Sequence, residues 1–171
     1  MSPSASFLAP LVCRLFALSL LAATLGPAQH FSAFDKSSSE DFSSTETVTL
    51  QKANTPRKQL SVYLDIAFDR LKQFRILVRN CDQEQARRYL TGYTLALNRA
   101  DDLASKEDPN RKKTQKLLKR LLKSTQKINA SLFQTLGKVP QDCRPLVQEA
   151  LHISQQVNGA VNVQLLRAST P

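Results

Sequence analysis

Residues 111–136 read RKKTQKLLKRLLKSTQKINASLFQTL, and this stretch decides the fold. At about 100° per residue, Leu117, Leu118, Leu121, Leu122, Thr125, Ile128, Leu132 and Leu136 fall on one face. Lys112, Lys113, Lys116, Lys119, Arg120, Lys123 and Lys127 fall on the opposite face, and no acidic residue interrupts them. The pattern predicts one long amphipathic helix, with an apolar face for a core and a strip of positive charge turned away from it.

Three further segments carry the same period. Thr55-Pro56 offers a capping side chain followed by a proline suited to the first helical position, and it opens a helix running to about Asn80. Leu60, Leu64, Ala67, Leu71, Phe74 and Val78 recur at alternating spacings of four and three. Val62, Tyr63, Ile66, Phe68, Ile76 and Leu77 widen its apolar surface, so this helix is expected to be the most buried. Asp82, with Gln85 three residues on, is a candidate capping box for a second helix reaching about Lys106. Its stripe is Ala86, Tyr89, Tyr93, Ala96, Ala100 and Leu103, flanked by Leu90, Leu97 and Ala104. Asp108-Pro109 repeats the cap-and-proline signal ahead of residue 111, and Gly137 is placed to end that third helix in a left-handed conformation. After the Val139-Pro140 turn, a fourth helix extends to about Arg167 with Leu146, Val147, Ala150, Leu151, Val157, Val161, Leu165 and Leu166 as its apolar set. Pro145 makes its first turn irregular and Gly159 weakens its interior.

Four long helices with short connections predict an all-α, up-down-up-down four-helix bundle over residues 55–168. The scarcity of glycine, four in 171 residues, agrees with few turns. Residues 29–54 are rich in serine and threonine and lack a helical period. They are expected to form a disordered tail or flexible linker. Residues 46–51 (ETVTLQ) alternate like a short strand, but a lone strand has no partner.

Residues 1–28 resemble a secretory signal peptide. Arg14 precedes an apolar run at 15–25, and Gly26-Pro27-Ala28 supplies small residues for cleavage after Ala28. The run is shorter than the roughly 20 apolar residues of a membrane span; retention as an N-terminal membrane anchor is the alternative. Cys13 belongs to the signal. The expected location is therefore exported, periplasmic or extracellular. Cys81 and Cys143 remain in the mature chain, and an even count in an oxidising compartment suggests a disulfide. The bundle supplies a second reason. Cys81 sits at the first helical turn-around and Cys143 at the third, and in an up-down-up-down arrangement those two turns share a pole.

The net charge is +10, and removing Arg14 with the signal still leaves about +9. A field of this sign attracts polyanions and anionic membranes. Enzyme constellations are missing. The histidines are His30, in the linker, and His152. There is no HExxH, no Glu-x-x-His pair, no CxxCH and no glycine-rich phosphate loop. The cysteines are too far apart and too short of partners for zinc. No catalytic residue, metal or cofactor is assigned. Asp101-Asp102 and Glu107-Asp108 read as solvated or capping carboxylates, and Tyr89/Tyr93 as core packing rather than a ligand cage. Asn129-Ala130-Ser131 fits a glycosylation sequon in an awkward mid-helix place.

The basic strip is the candidate site, with Lys112, Lys116, Lys119, Arg120, Lys123 and Lys127 as contacts to an anionic envelope polymer or an anionic lipid surface. No aromatic residue is interleaved with the charges, so nucleic acid is the poorer fit. The rival expectations are a protein–protein module whose basic face is merely solvated, and a small-molecule carrier.

The run Lys138-Val139-Pro140-Gln141-Asp142-Cys143-Arg144-Pro145-Leu146, continuing to Ala150-Leu151 and Ser154, resembles the last helix of exported bacterial helical domains of uncharacterised function. There a valine-proline turn, a second proline and a small-residue helix follow a long helical hairpin. The resemblance implies a bacterial envelope location and no activity. This chain departs from the pattern by carrying a cysteine in the turn. A secreted four-helix cytokine fits less well, because those bundles need two long crossover connections.

Overall fold

The computed structural model describes residues 42–106 and 108–169. The expected signal peptide, His30 and most of the expected linker lie outside them. The described residues fold as five α-helices: α1 (Ser44–Lys52), α2 (Pro56–Arg79), α3 (Gln83–Ser105), α4 (Lys112–Leu136) and α5 (Arg144–Arg167). A single 3₁₀ turn, Gln141–Cys143, leads into α5, so Pro145 sits at the first positions of a helix entered through a tightened turn.

Helix α1 corrects the expected linker. Ser43 accepts a hydrogen bond from the Glu46 amide (3.3 Å), and Glu46 Oε2 accepts one from the Ser43 amide (2.7 Å). This reciprocal capping box nucleates a short helix within a serine-rich run. A nine-residue helix is marginal alone; tertiary anchors hold it. Phe42 is buried against Tyr63, with ring centroids 6.0 Å apart, and Ala53 is buried at the other end. Glu46 pairs with Arg70 on α2 at 2.8 Å. Arg70 in turn lies over the Tyr89 ring of α3, 5.9 Å from its centroid. Its side chain also passes Gly92, where even a Cβ would stand 3.5 Å from it. One arginine of α2 thus joins its own helix to both α1 and α3.

Helix directions follow from side-chain contacts. Arg120 on α4 donates to Ser61 Oγ on α2 (2.8 Å), and Arg75 on α2 donates to Thr135 Oγ1 on α4 (2.9 Å), so α2 and α4 run parallel. Gln164 on α5 donates to Ser105 Oγ at the end of α3 (2.7 Å), while Asn158 on α5 reaches Thr125 on α4 (2.8 Å). Helices α2 and α3 are joined by a tight turn and packed side by side, as are α4 and α5.

Burial is shared evenly among the four long helices, with seven or eight buried positions on each, so the first long helix is not the most buried. The α2 stripe from Leu60 to Val78 is buried as its spacing predicts. On α3 the buried line is Ala86, Leu90, Tyr93, Leu97, Ala100 and Ala104, while Tyr89 and Leu103 are half-buried. Tyr89 is drawn to the flank where Arg70 covers it. On α5, Leu166 stays 69% exposed, whereas Ser154 is fully buried. Ser154 donates to the Thr125 carbonyl (3.4 Å), and Asn158 donates to Thr125 Oγ1. Together they form a polar layer inside the α4–α5 contact.

Cys81 and Cys143 form a disulfide with a Cα–Cα distance of 5.9 Å. Cys81 has φ 56°, the one positive φ at a non-glycine residue among the described residues. It occupies the position after the α2 C-cap, Asn80, with Asp82 N–H bonded to the Leu77 carbonyl (3.0 Å) and Cys81 N–H to the Val78 carbonyl (3.3 Å). This is the Schellman arrangement, in which glycine usually takes the left-handed place. Gly137, in contrast, stays right-handed with φ −75°. There the chain leaves α4 through a Lys138 N–H bond to the Thr135 carbonyl (2.8 Å), which needs no positive φ.

Candidate functional site

The strip rests on α4, whose other face supplies Leu117, Leu118, Leu121, Ile128 and Leu132 to the core. Three threonines also lie on that buried side. Thr125 and Thr135 bond the carbonyls of Leu122 (2.9 Å) and Ser131 (2.8 Å), while the Thr114 hydroxyl has no partner. Burial of this face fixes the helix's rotation, and the lysines follow. Lys112, Lys116, Lys119, Arg120, Lys123 and Lys127 are all exposed. They span about 22 Å along the axis at 1.5 Å per residue.

None of the six meets a carboxylate among the described residues. Ion pairs form elsewhere, between Glu46 and Arg70 and between Glu84 and Arg88. Arg120 stands apart from the others because its bond to Ser61 turns it toward α2. The strip therefore borders the α2–α4 seam rather than the middle of an isolated helix, which the spacing alone did not reveal.

The start of α4 sharpens the field. Its N-cap is Arg111, with no side-chain cap, and the first turn holds no acidic residue. The Asp108 carboxylate caps the Asn110 amide (2.9 Å) within the preceding turn and not the helix itself, which corrects the expected cap. Helix N-termini carry partial positive charge and favour acidic side chains. Here Lys112 and Lys113 add positive charge to that end, an arrangement that costs helix stability and concentrates potential for an anion.

The remaining candidates separate. Tyr93 is fully buried. Burial pushes its phenol well above the usual range, only partly opposed by the neighbouring Ser154 hydroxyl. The two do not reach hydrogen-bond geometry, and Tyr93 Oη has no partner. Asp101 is half-buried rather than solvated. Burial, then the Asp102 charge beside it, raise its carboxyl to about 6, against the Ser105 hydroxyl that donates to it (3.5 Å). Asn129 is half-buried with its carboxamide oxygen enclosed and unpartnered, a poor presentation for glycosylation. His152 is exposed. Among the described residues no three His, Cys, Asp or Glu side chains gather as a metal site, and no helix is long and apolar enough to cross a membrane. No protein-family model, characterised protein or solved structure matches the chain.

Proposed function

We propose that the protein is a non-catalytic module of the bacterial cell envelope that docks an anionic partner on α4. In this reading α2–α5 form an up-down-up-down four-helix bundle, with α1 strapped to the outside of α2. Export fits the Cys81–Cys143 disulfide, which belongs to an oxidising compartment. The observation that carries the reading is the row of six exposed cations with no carboxylate among them, on a helix whose N-terminal charge works against its own dipole. A purely solvating face has no need of that cost and is ordinarily mixed in sign.

A protein partner on an apolar surface has less support. The large exposed apolar side chains are Val48, Ile76, Phe133, Val163 and Leu166, distributed over four helices.

The test is binding to heparin, DNA and anionic vesicles across a salt series, beside the triple reversal Lys116→Glu/Lys119→Glu/Lys123→Glu. Steep salt dependence, lost in the variant, is expected. Binding unchanged by the reversal removes α4 as the docking face.

A further inference from the structure

The disulfide and the α3–α4 connection lie at opposite ends of α3. Cys81 sits in the turn between α2 and α3, and Cys143 in the turn between α4 and α5. The chain between Ser105 and Lys112 joins α3 to α4, about 36 Å away along α3. It leads into three consecutive cations, Arg111, Lys112 and Lys113. Of the described residues from 105 to 113 none is buried: Pro109 is half-buried and the others are exposed. Thr114, 1% exposed, is the first anchor of α4 in the core.

The backbone at these cations is lightly held. Lys112 and Lys113 open the first turn of α4, where amides lack intrahelical partners, and no side chain caps that turn. Arg111 is fixed by two backbone bonds, its N–H to the Asp108 carbonyl (3.1 Å) and the Gln115 N–H to its own carbonyl (3.0 Å). The positive charges oppose the helix dipole at this end, so the turn opens readily. Basic residues at other connections are better protected. Arg57 and Lys58 open α2, but Thr55 Oγ1 accepts from the Lys58 amide (3.3 Å) and closes that turn. Lys138 precedes Val139, 5% exposed, beside the turn pinned by the disulfide. Arg144 precedes Pro145, whose rigid ring and missing N–H unfit the bond for a protease cleft. Lys106 is followed in sequence by Glu107, which an acidic pocket repels. A cut after Lys52 leaves the four long helices whole.

We infer that Arg111-Lys112-Lys113 is a cleavage site for endoproteases with an acidic specificity pocket, and that the Cys81–Cys143 bond turns the cut chain into a stable two-chain protein. The carboxylate of such a pocket pairs with the arginine or lysine ahead of the scissile bond. Water hydrolyses that bond. The water oxygen joins the carbonyl carbon, which ends as a carboxylate. Both water hydrogens pass to the nitrogen, which ends as the ammonium terminus of α4; no electrons are exchanged. One product carries α1–α3 with Cys81, the other α4 and α5 with Cys143. Each keeps its own helix pair, α2 against α3 and α4 against α5. The disulfide holds the two pairs at high effective concentration, so the bonds between them, Arg120 to Ser61 and Gln164 to Ser105, persist.

The test is limited digestion of the full, oxidised chain with trypsin in native buffer. Samples over time are read by mass spectrometry and on gels run with and without reductant. Between residues 55 and 165 the first cut is expected after Arg111, Lys112 or Lys113. The product should run as one species without reductant and as two with it, and should keep the far-UV circular dichroism of the uncut chain. The variant Arg111→Gln/Lys112→Gln/Lys113→Gln should lose its intact 55–165 segment at least tenfold more slowly. It should fold normally, because all three side chains are exposed. Lys116→Gln/Lys119→Gln/Lys123→Gln removes equal charge from the same helix and should change that rate less than threefold. A first cut elsewhere in the range, resistance of the whole range, or an unchanged rate in the 111–113 variant overturns the site. So does simultaneous cutting throughout the long helices, the mark of global unfolding. A cut product that loses its helical signal with the disulfide intact overturns the two-chain state.

Discussion

Reducing the Cys81–Cys143 bond is expected to remove a large part of the protein's margin of stability. The cysteines are 62 residues apart. Cross-linking at that separation takes about 14 cal/mol/K of entropy from the unfolded chain, or about 4 kcal/mol at 25 °C. Small domains have a total of about 5–15 kcal/mol, so the loss is a large fraction of the whole. The assay is urea unfolding followed by far-UV circular dichroism, with and without reductant. For an m-value near 2 kcal/mol/M the midpoint should fall by about 2 M. A second arm isolates the backbone. Cys81 holds φ 56°, a conformation that costs an L-residue about 1–2 kcal/mol and glycine almost nothing. In a Cys143→Ala background, Cys81→Gly should therefore be more stable than Cys81→Ala by about 1 kcal/mol. A midpoint shift below about 0.5 M on reduction refutes the loop argument. An alanine variant as stable as the glycine one refutes the left-handed assignment.

Asp101→Asn should stabilise the protein by about 1 kcal/mol at pH 7–8, a figure reduced from the full shift because the group is only half-buried. The folded carboxyl sits near 6, above its unfolded value. Its contribution is thus fully present below about pH 4 and lost as pH rises through 6, so the variant's advantage should vanish in acid; an equal advantage at pH 3.5 contradicts this. Arg70→Ala should free α1, speeding amide exchange at residues 47–53 at least tenfold while α3 and α5 amides stay protected, at a cost of about 1 kcal/mol; uniform exchange across all helices would count against a separate docking of α1. Tyr93→Phe removes a buried hydroxyl without a partner, so thermal unfolding should show no loss, and a gain of up to about 1 kcal/mol; a clear drop in Tm would mean that the hydroxyl is bonded.

What the sequence disclosed and what it withheld divide along physical lines. Periodicity marked the four long helices because each must bury one stripe, and Leu60 to Val78 on α2 is buried position by position as spaced. The disulfide was legible because the even cysteine count and the placement of Cys81 and Cys143 at two helix turns both pointed to it. Helix α1 was not, because its capping box lies in a serine run that composition assigns to linkers, and its anchors Phe42–Tyr63 and Glu46–Arg70 are long-range. Ser154 escaped for a similar reason: a serine becomes core only when a partner such as the Thr125 carbonyl awaits it. Gly137 misled, since a glycine after a helix permits a left-handed residue without requiring one, while Cys81 took that conformation at the other turn. Of the strip, the residues and their exposure were readable from α4, but its border with α2 depends on Ser61 and Arg75, which no local pattern flags.

The polar layer between α4 and α5 has a consequence at the surface. An apolar helix contact tolerates small slips and rotations, because one leucine resembles another. Thr125, Ser154 and Asn158 do not allow this: a modest rotation of α4 strands an amide or hydroxyl with no partner, at about 1–3 kcal/mol for each such group. The layer works as an index mark for the azimuth of α4. A buried hydroxyl at Thr125 thereby sets the compass bearing of every lysine from 112 to 127, and with it which neighbouring helix those lysines border.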